Sequence, residues 1–301
     1  MPDWWPAMVA ASHHPERIEL FGEAAWGHSE TEPTAREADL ADLHLSGLHW
    51  LEFDQFCDNS YALVGLFQHC SAKRPREERT WNQVIDHFHN VGCFLDGEHR
   101  RSKALRLVFD TFGVPIEWGL MVGRTEGLKV VAQLADVTAL QLQTFFQRAD
   151  LQATLGGPSN TTKWCKLAAS APRGLGFALS LDLNLSEDRI APTLGLEISG
   201  LGLRSGMTRA ADAWATLEIL LKEFGVPTVA RTSLSRVIEP LPKGQREQLD
   251  YGELGEFLAN ELKQLLRIAF HNHVKLVFAP ELPVTLKSYV MLRLLKGNGN
   301  A

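Results

Sequence analysis

The stretch FGVPIEWGLMVG, residues 112–123, places the carboxylate of Glu117 in the middle of an apolar run. An acid is unfavourable in such surroundings unless it is paired, exposed to solvent or used in chemistry. A pairing partner is close in sequence, because Lys129 follows on the next predicted strand of the same hairpin. The chemistry open to a carboxylate at this place is general acid or base catalysis, in which it exchanges a proton with a substrate.

Other chemically active side chains occupy alternate positions of predicted strands. Alternation sorts each strand into an apolar face and a second face that carries acids, bases, small residues and one tyrosine. The charged residues of the second face are few for a surface in open water, and the small residues Gly119, Ser180 and Gly195 leave room for a molecule against it. The members of that face with a candidate role are Glu117, Met121, Lys129, Asp182, Thr193, Glu197, His273, Lys275, Lys287, Tyr289 and Arg293.

Three predicted β-hairpins, separated by amphipathic helices, must position these side chains. Antiparallel hairpins with helices between them predict an α+β fold, since βαβ crossovers would alternate single strands and helices. An open sheet with one wet face fits this pattern, as does a barrel with a polar lumen and helices outside. The small residues favour the barrel. The hairpins are predicted at 115–135, 176–199 and 271–295, and the helices at 137–151, 208–225 and 251–270.

The pattern is less regular upstream. Residues 1–45 are rich in Pro, Ala, His and acidic residues and are predicted as a loosely packed segment, with a short strand at RIELFGEAAW. Residues 46–301 are predicted as a single domain. The short apolar runs within 48–68 fit strands or a buried helix, because periodicity does not separate the two at this length. Helices are predicted at about 81–91 and 100–112.

Composition excludes several function classes. The net charge of −6 argues against a nucleic-acid surface, which needs clustered Lys and Arg. No apolar run reaches the ~20 residues that span a bilayer, and the first residues lack the basic region and apolar core of a signal peptide. We therefore expect a cytoplasmic protein without nucleic-acid or membrane partners. The four cysteines show no C-x-x-C spacing, which favours buried thiols over a zinc knuckle or a disulfide framework.

The motif G-V-P-I-E-W, residues 113–118, resembles the strand opening of the fungal dimethylallyltryptophan-type aromatic prenyltransferases. In that family a glycine, a proline, an aliphatic residue, a glutamate and an aromatic residue follow in the same order. The segment P-V-T-L-K-S-Y, residues 283–289, resembles the family's lysine-x-tyrosine pairs that face the lumen. H-V-K-L-V, residues 273–277, resembles a strand that reads basic-x-lysine-x-tyrosine there.

The repeated ββα units are similar to the prenyltransferase barrel of that superfamily, ten antiparallel strands ringed by helices and called the ABBA fold. The length of the chain is closer to that of the bacterial and cyanobactin peptide prenyltransferases. The chain departs from the family in having only three tyrosines, Tyr61, Tyr251 and Tyr289, and in carrying Val277 at an expected lumen tyrosine. The resemblance therefore implies a barrel that is either complete, with further strands in the N-terminal residues, or incomplete.

The resemblance also implies a function. Members transfer a prenyl group from an allylic diphosphate, such as dimethylallyl diphosphate, to an aromatic acceptor, as in secondary metabolism and peptide modification. The expected acceptor is the indole of tryptophan, of a Trp-containing peptide or of a related aromatic molecule. Glu117 is then the catalytic base, and Tyr289 shields the allylic cation with its ring. The diphosphate is expected to bind Lys129, Lys275, Lys287, Arg293 and His273, and the acceptor to lie near Met121, Asp182, Thr193 and Glu197.

The cofactor and the alternatives stay open at this point. No D-D-x-x-D motif appears, which favours metal-independent binding of the diphosphate by basic residues but leaves Mg²⁺ open as a cofactor. The spacing of His271 and His273 on one strand face is compatible with a metal site, and Cys70 beside His69 is a weaker candidate for thiol chemistry. A non-catalytic protein on the same scaffold, which binds a peptide or a small molecule, is the functional alternative, and the shortage of tyrosines favours it.

Overall fold

The structure, a computed structural model, describes most of the chain between residues 45 and 294. The expected N-terminal segment, including the strand at RIELFGEAAW, lies outside the described residues, as does most of the helix expected at 251–270. The described ranges are 45–55, 61–70, 78–90, 102–121, 127–135, 137–155, 158–169, 175–184, 186–199, 206–232 and 266–294.

The described chain alternates pairs of strands with helices. The strands are β1 (Leu45–Gln55), β2 (Tyr61–Cys70), β3 (Glu117–Met121), β4 (Gly127–Gln133), β5 (Gly176–Asn184), β6 (Arg189–Ser199), β7 (Leu266–Phe278) and β8 (Thr285–Leu294). The helices are α1 (Glu78–Asn90), α2 (Lys103–Phe112), α3 (Ala139–Arg148), α4 (Pro158–Ala169) and α5 (Gly206–Glu223). No helix within the described ranges is long and apolar enough to cross a membrane.

The described strands all belong to one antiparallel sheet in the order β1 to β8, so each of them pairs with its neighbour in this order. This confirms the α+β prediction. Closure of the sheet into a barrel is not observed, because β1 and β8 are the two ends of that order and have no ladder with each other over the described residues. A barrel needs hydrogen bonds between its first and last strands, so the described sheet is open.

One face of the sheet is apolar and packs against the helices, as alternation predicts. Trp118 of β3, Leu181 of β5 and Leu276 of β7 have at most 1% of their surface exposed. They belong to the same buried cluster as Leu105 of α2 and Phe145 of α3. Burial of large apolar side chains between the sheet and the helices makes the main favourable contribution to the free energy of folding.

A cluster of aromatic side chains between the sheet and the helices joins β7 to α4 and to the end of α5. The Trp164 ring lies 5.1 Å from the Phe278 ring, 5.7 Å from the Phe224 ring and 5.9 Å from the Phe146 ring, measured between centroids. All of these contacts are edge-to-face, the geometry that aromatic quadrupoles favour. Strand β7 is thereby fixed against two helices.

The start of α2 is held by a residue far away in the chain. Ser102 is its N-cap, and the Ser102 hydroxyl accepts a hydrogen bond from Leu105 N. The Asp188 carboxylate, on the turn between β5 and β6, accepts hydrogen bonds from Ser102 Oγ at 2.9 Å and from the backbone N–H groups of Lys103 and Ala104. Backbone donors at the first turn of a helix have no partner within the helix, so Asp188 satisfies two of them and ties α2 to the hairpin.

The apolar runs within 48–68, which periodicity left open between strand and buried helix, lie in the paired strands β1 and β2. Two other elements differ from their predictions. Residues 266–270, expected as the end of a helix, belong to β7, because the alternating apolar residues there pair with β8, as Ile268 does with Leu292. Helix α4 was not predicted, although Pro158 stands at its first position, where a missing backbone N–H is tolerated.

Candidate active site

The polar side chains of β3 to β8 share the sheet face opposite the helices. Lys129 stands directly opposite Asp182, Glu197 opposite Lys275, and His273 opposite Tyr289. Partners that stand directly opposite each other point to the same side of a sheet, and residues two apart in a strand do so as well. The alternation in the sequence therefore assigns these residues to one face correctly.

The centre of this face is shielded from solvent. Glu117, Lys129, Ser180, His273 and Lys275 are each at most 8% exposed. Burial of charged side chains is costly unless other charges or hydrogen bonds compensate it. This face is therefore not the wet side of an ordinary open sheet, and a compensated polar cluster lies at its centre.

Lys275 extends across the face from β7 towards β5. Its ammonium Nζ donates a hydrogen bond of 2.6 Å to Ser180 Oγ on β5, two strands away. The same Nζ lies 3.6 Å from Glu197 Oε1 on β6. The positive charge of Lys275 is thus held between a hydroxyl and a carboxylate.

Glu197 contacts two basic groups with its two oxygens. Oε1 faces Lys275, and Oε2 lies 3.4 Å from His273 Nε2. The His273 ring in turn stacks on the Tyr289 ring, with centroids 4.6 Å apart and an angle of 18° between the planes. A continuous polar row therefore runs from Ser180 on β5 to Tyr289 on β8.

Glu117 and Lys129 form the second half of the face. Their strands pair so that Glu117 stands opposite Val131 and Lys129 opposite Gly119, which makes the two residues diagonal neighbours. Long side chains can meet across such a diagonal, so this register is compatible with a pair across the hairpin. The Lys129 ammonium also lies over the ring of Phe67 on β2, 5.6 Å from its centroid. A cation over an aromatic face is attracted by the ring quadrupole.

The remaining predicted site residues differ in how far their side chains are exposed to solvent. Asp182, Thr193, Glu197 and Tyr289 are partly exposed, whereas Lys287 is exposed although it stands opposite the buried Lys275. Two ammonium groups directly opposite each other repel, and the Lys275 side chain extends towards β6 and β5 instead. Met121 and Arg293 lie in β3 and β8, but their side chains are outside the described part.

Arg293 stands apart from the cluster along the strand. It pairs with Arg267, whereas Tyr289 pairs with His273. Four residues of strand correspond to about 13 Å. The structure therefore does not bring the Arg293 backbone together with the other predicted diphosphate ligands.

Sequence reasoning missed three contributors to the face. Ser180 and Gly195 were recognised only as small residues, yet they stand opposite each other beneath the Lys275 side chain. Phe67 on β2 provides the ring under the Lys129 ammonium. The signal for Ser180 and Gly195 was their position on the polar face, but their pairing depends on strand register, which alternation alone does not fix.

The charges of the described face balance. Its carboxylates and ammonium groups are equal in number when exposed and partly exposed members are included. The acids are Glu117, Asp182 and Glu197, and the ammonium groups are those of Lys129, Lys275 and Lys287. Binding of an anion to this face would therefore depend on where its ammonium groups lie, because they do not outnumber the carboxylates.

A metal site is not evident in the part of the chain that the structure describes. No group of three or more His, Cys, Asp and Glu residues there could hold a metal ion. The described residues thus do not form a protein cage for Mg²⁺. The side chain of His271 is outside the described part, so the expected His271–His273 pair stays a prediction.

A groove of about 380 Å³ lies elsewhere, on the surface at α1 and α2, with Trp81, Lys103, Arg106 and Arg148 among its lining residues. The Arg106 guanidinium spans this region, with hydrogen bonds of 2.8 Å to Glu78 and to Asp110. The hydrogen bond with Glu78 is the largest cause that raises the pKa of Arg106 above its ordinary value. The bond with Glu78 joins α1 to α2. The bonded residues lie on these two helices, away from the polar face.

Comparison with known proteins gives no match to this chain among protein-family models, curated proteins or solved structures. The prenyltransferase resemblance therefore rests on the residues of the sequence.

Proposed function

We propose that the buried polar face is the active site of an aromatic prenyltransferase, which transfers a prenyl group from an allylic diphosphate to an indole or a related aromatic ring. The observation that carries the proposal is the burial of Glu117, Lys129, His273 and Lys275 on one sheet face. This combination supplies a carboxylate and several cationic or neutral donors in a place with little access to water. The same proposal includes a cytoplasmic location and a sheet related to the prenyltransferase barrel.

The reaction needs charge stabilisation at two points. The C–O bond between the prenyl C1 and the diphosphate breaks, and the bonding electrons leave with the diphosphate. Fixed positive groups at Lys129 and Lys275 would stabilise that leaving group, because preorganised charge is effective in a site shielded from water. Exclusion of water also protects the allylic cation from hydrolysis.

The acceptor ring then forms a C–C bond to the prenyl C1 and becomes positively charged. Loss of the ring proton restores aromaticity, and Glu117 would accept a proton from the acceptor as the general base. Tyr289 would face the cation with its ring, held in place by the stack on His273. Its role depends on the attraction of a cation to an aromatic face.

A second candidate function, ligand binding without catalysis, is favoured by the charge balance of the face. The Lys275 ammonium already has a hydroxyl and a carboxylate as neighbours, which suits a neutral ligand with hydrogen-bonding groups. A binding protein of this kind would take up a peptide or a small aromatic molecule without turnover.

The test is incubation of the protein with dimethylallyl or geranyl diphosphate and with tryptophan or Trp-containing peptides, with and without Mg²⁺. Mass spectrometry then looks for a gain of one prenyl unit on the acceptor. The enzyme proposal expects that product, and it expects Glu117→Gln to reduce turnover about 10²–10⁴-fold, the usual contribution of a general base. Glu187→Gln, at an exposed residue of the β5–β6 turn, is the matched control and should retain full turnover.

Two outcomes contradict the proposal. Product formation at the same rate by Glu117→Gln would show that another group is the base. Absence of product, together with saturable binding of the acceptor by calorimetry, would support the binding protein instead.

A further inference from the structure

The Lys275 side chain passes over Gly195 on its way to Ser180. Gly195 stands opposite Ser180 on β5 and opposite Val277 on β7. A Cβ atom added at Gly195 would overlap Lys275 Cε and would lie 3.0 Å from Lys275 Nζ and 3.0 Å from Ser180 Cβ. The lysine side chain therefore fills the space that any other residue at position 195 would need.

The position of the ammonium does not follow from charge attraction alone. Lys275 stands directly opposite Glu197 on the adjacent strand, yet its Nζ lies 3.6 Å from that carboxylate and 2.6 Å from the neutral hydroxyl of Ser180. An ammonium guided only by Coulomb attraction would approach the carboxylate first. The gap at Gly195 and the hydroxyl beyond it account for the observed position.

Glycine in the interior of a strand destabilises it, because it contributes no side chain to the packing and loses more conformational freedom on folding than other residues. A glycine at such a place often marks the close approach of another group. Here the approaching group is Lys275, which is 6% exposed, and Ser180 beneath it is 3% exposed.

We propose that Gly195 and Ser180 are positioning residues, which place the ammonium of Lys275 over β6 at the centre of the polar face. Gly195 leaves space for the Lys275 side chain because it has no Cβ. Ser180 accepts the hydrogen bond that fixes the end of that side chain. The inference rests on the proposed function only for its effect on turnover, where a fixed positive charge at the centre of the face would serve the leaving group. The arrangement itself is testable in the absence of any ligand.

The test measures the reactivity of Lys275 towards an amine-selective acylating reagent, read by mass spectrometry of peptides from the full-length protein. Lys287, which is exposed on the neighbouring strand, is the internal reference. Gly195→Ala should raise the labelling ratio of Lys275 to Lys287 at least about fivefold, the factor that corresponds to one hydrogen bond of typical net strength. Ser180→Ala should raise it by a similar factor.

The matched control is Gly176→Ala. Gly176 is also a strand glycine, and its added Cβ would meet the hydroxyl of Ser199 at 2.6 Å instead of a lysine. This variant should leave the labelling ratio unchanged. The double variant Gly195→Ala/Ser180→Ala should label no faster than the faster of the two single variants, because both substitutions act through the same ammonium.

Several results would overturn the inference. Labelling at the wild-type ratio in Ser180→Ala would do so even if Gly195→Ala failed to fold, and so would an additive effect in the double variant. If the protein turns over substrate, Gly195→Ala should lower kcat and leave the KM of the aromatic acceptor unchanged. A changed labelling ratio in a protein without prenyltransferase activity would support the positioning role and reject the proposed function. The experiment therefore distinguishes failure of the positioning inference from failure of the proposed function.

Discussion

The rings of His273 and Tyr289 lie nearly parallel, with centroids 4.6 Å apart, at the point where β7 and β8 pair directly. His273 also lies 3.4 Å from Glu197. Tyr289 therefore limits the movement of an imidazole that contacts a carboxylate on the next strand. This relationship joins the last hairpin of the described sheet to the polar cluster.

Replacement of Tyr289 by leucine should destabilise the protein by about 0.5–1.5 kcal/mol, because it removes the aromatic pair. Tyr289→Phe keeps the ring and is the control, expected to retain the stack. Urea denaturation gives the free energies of unfolding, and the proton NMR shifts of the His273 ring report the loss of the neighbouring ring current. Equal stability of the two variants would contradict the assigned role of the stack.

Removal of the Asp188 carboxylate should weaken the start of α2. Asp188→Asn should cost about 1 kcal/mol, since a side-chain cap is typically worth that much. Asp188→Ala should cost more, because the residue has a φ of 45°, a left-handed conformation that asparagine tolerates better than alanine. Denaturation curves measure both, and hydrogen exchange at the Lys103 and Ala104 amides should accelerate. Glu187→Gln, at the neighbouring exposed position, should stay within a few tenths of a kcal/mol of the wild type; a comparable loss there would argue against the cap.

Arg106 should contribute modestly to stability through its contacts with Glu78, Asp110 and the ring of Trp81, which lies 5.1 Å from the guanidinium. Arg106→Gln should cost about 1 kcal/mol, since partly exposed ion pairs and cation–π contacts are each worth about 0.5–1. Arg106→Lys should cost less, because it keeps the charge but loses the planar fork.

The pH dependence of this effect follows from the raised pKa of Arg106. A group whose pKa is raised by folding stabilises the protein fully below its unfolded pKa and loses that contribution as the pH rises through the folded pKa. For arginine this loss lies far above neutrality. The difference between wild type and Arg106→Gln should therefore be the same at about pH 7 and pH 9, and a difference that fades between those values would contradict the assignment.

Trp164 should tolerate phenylalanine better than its complete burial suggests. Trp164→Ala should cost about 3–5 kcal/mol, as for other large aromatic residues in a core. Its indole Nε1 is buried and has no hydrogen-bond partner among the described residues, and removal of such a donor recovers part of its desolvation penalty. Trp164→Phe should therefore cost only about 1–2 kcal/mol, and a loss as large as that of the alanine variant would contradict this reasoning. Thermal and urea unfolding followed by circular dichroism measure both.

The sequence contains enough information to predict the repeating unit and the two faces of the sheet. Alternation identifies Trp118 and Leu276 as core residues and Glu117 and Lys275 as members of the opposite face, because the period of a strand depends only on local geometry. The hairpin at 176–199 is predicted for the same reason, and β5 and β6 lie within that range. The apolar period also predicts helices close to α2, α3 and α5.

Contacts between distant parts of the chain were not predictable in the same way. Ser180 and Lys275 are 95 positions apart, and Ser102 and Asp188 are 86 apart. Such contacts depend on which strands pair and in which register, and a shift of one residue would move Ser180 to the other face. The residues at 266–270 illustrate a further limit, since a short apolar run fits a helix or a strand until its pairing partner is known.

The consecutive order of the strands has a consequence for the way the chain acquires its structure. Because each described strand hydrogen-bonds to the one that precedes it in this order, none of these strands has to be inserted between two that are already paired. A sheet of this kind can grow as the polypeptide leaves the ribosome, from the N-terminal end onward. Its mean sequence separation between contacts is also lower than in sheets with crossed-over strands, a property associated with faster folding. The contact between Lys275 and Ser180 can form only after β7 has been synthesised, so the polar cluster is completed among the last parts of the sheet.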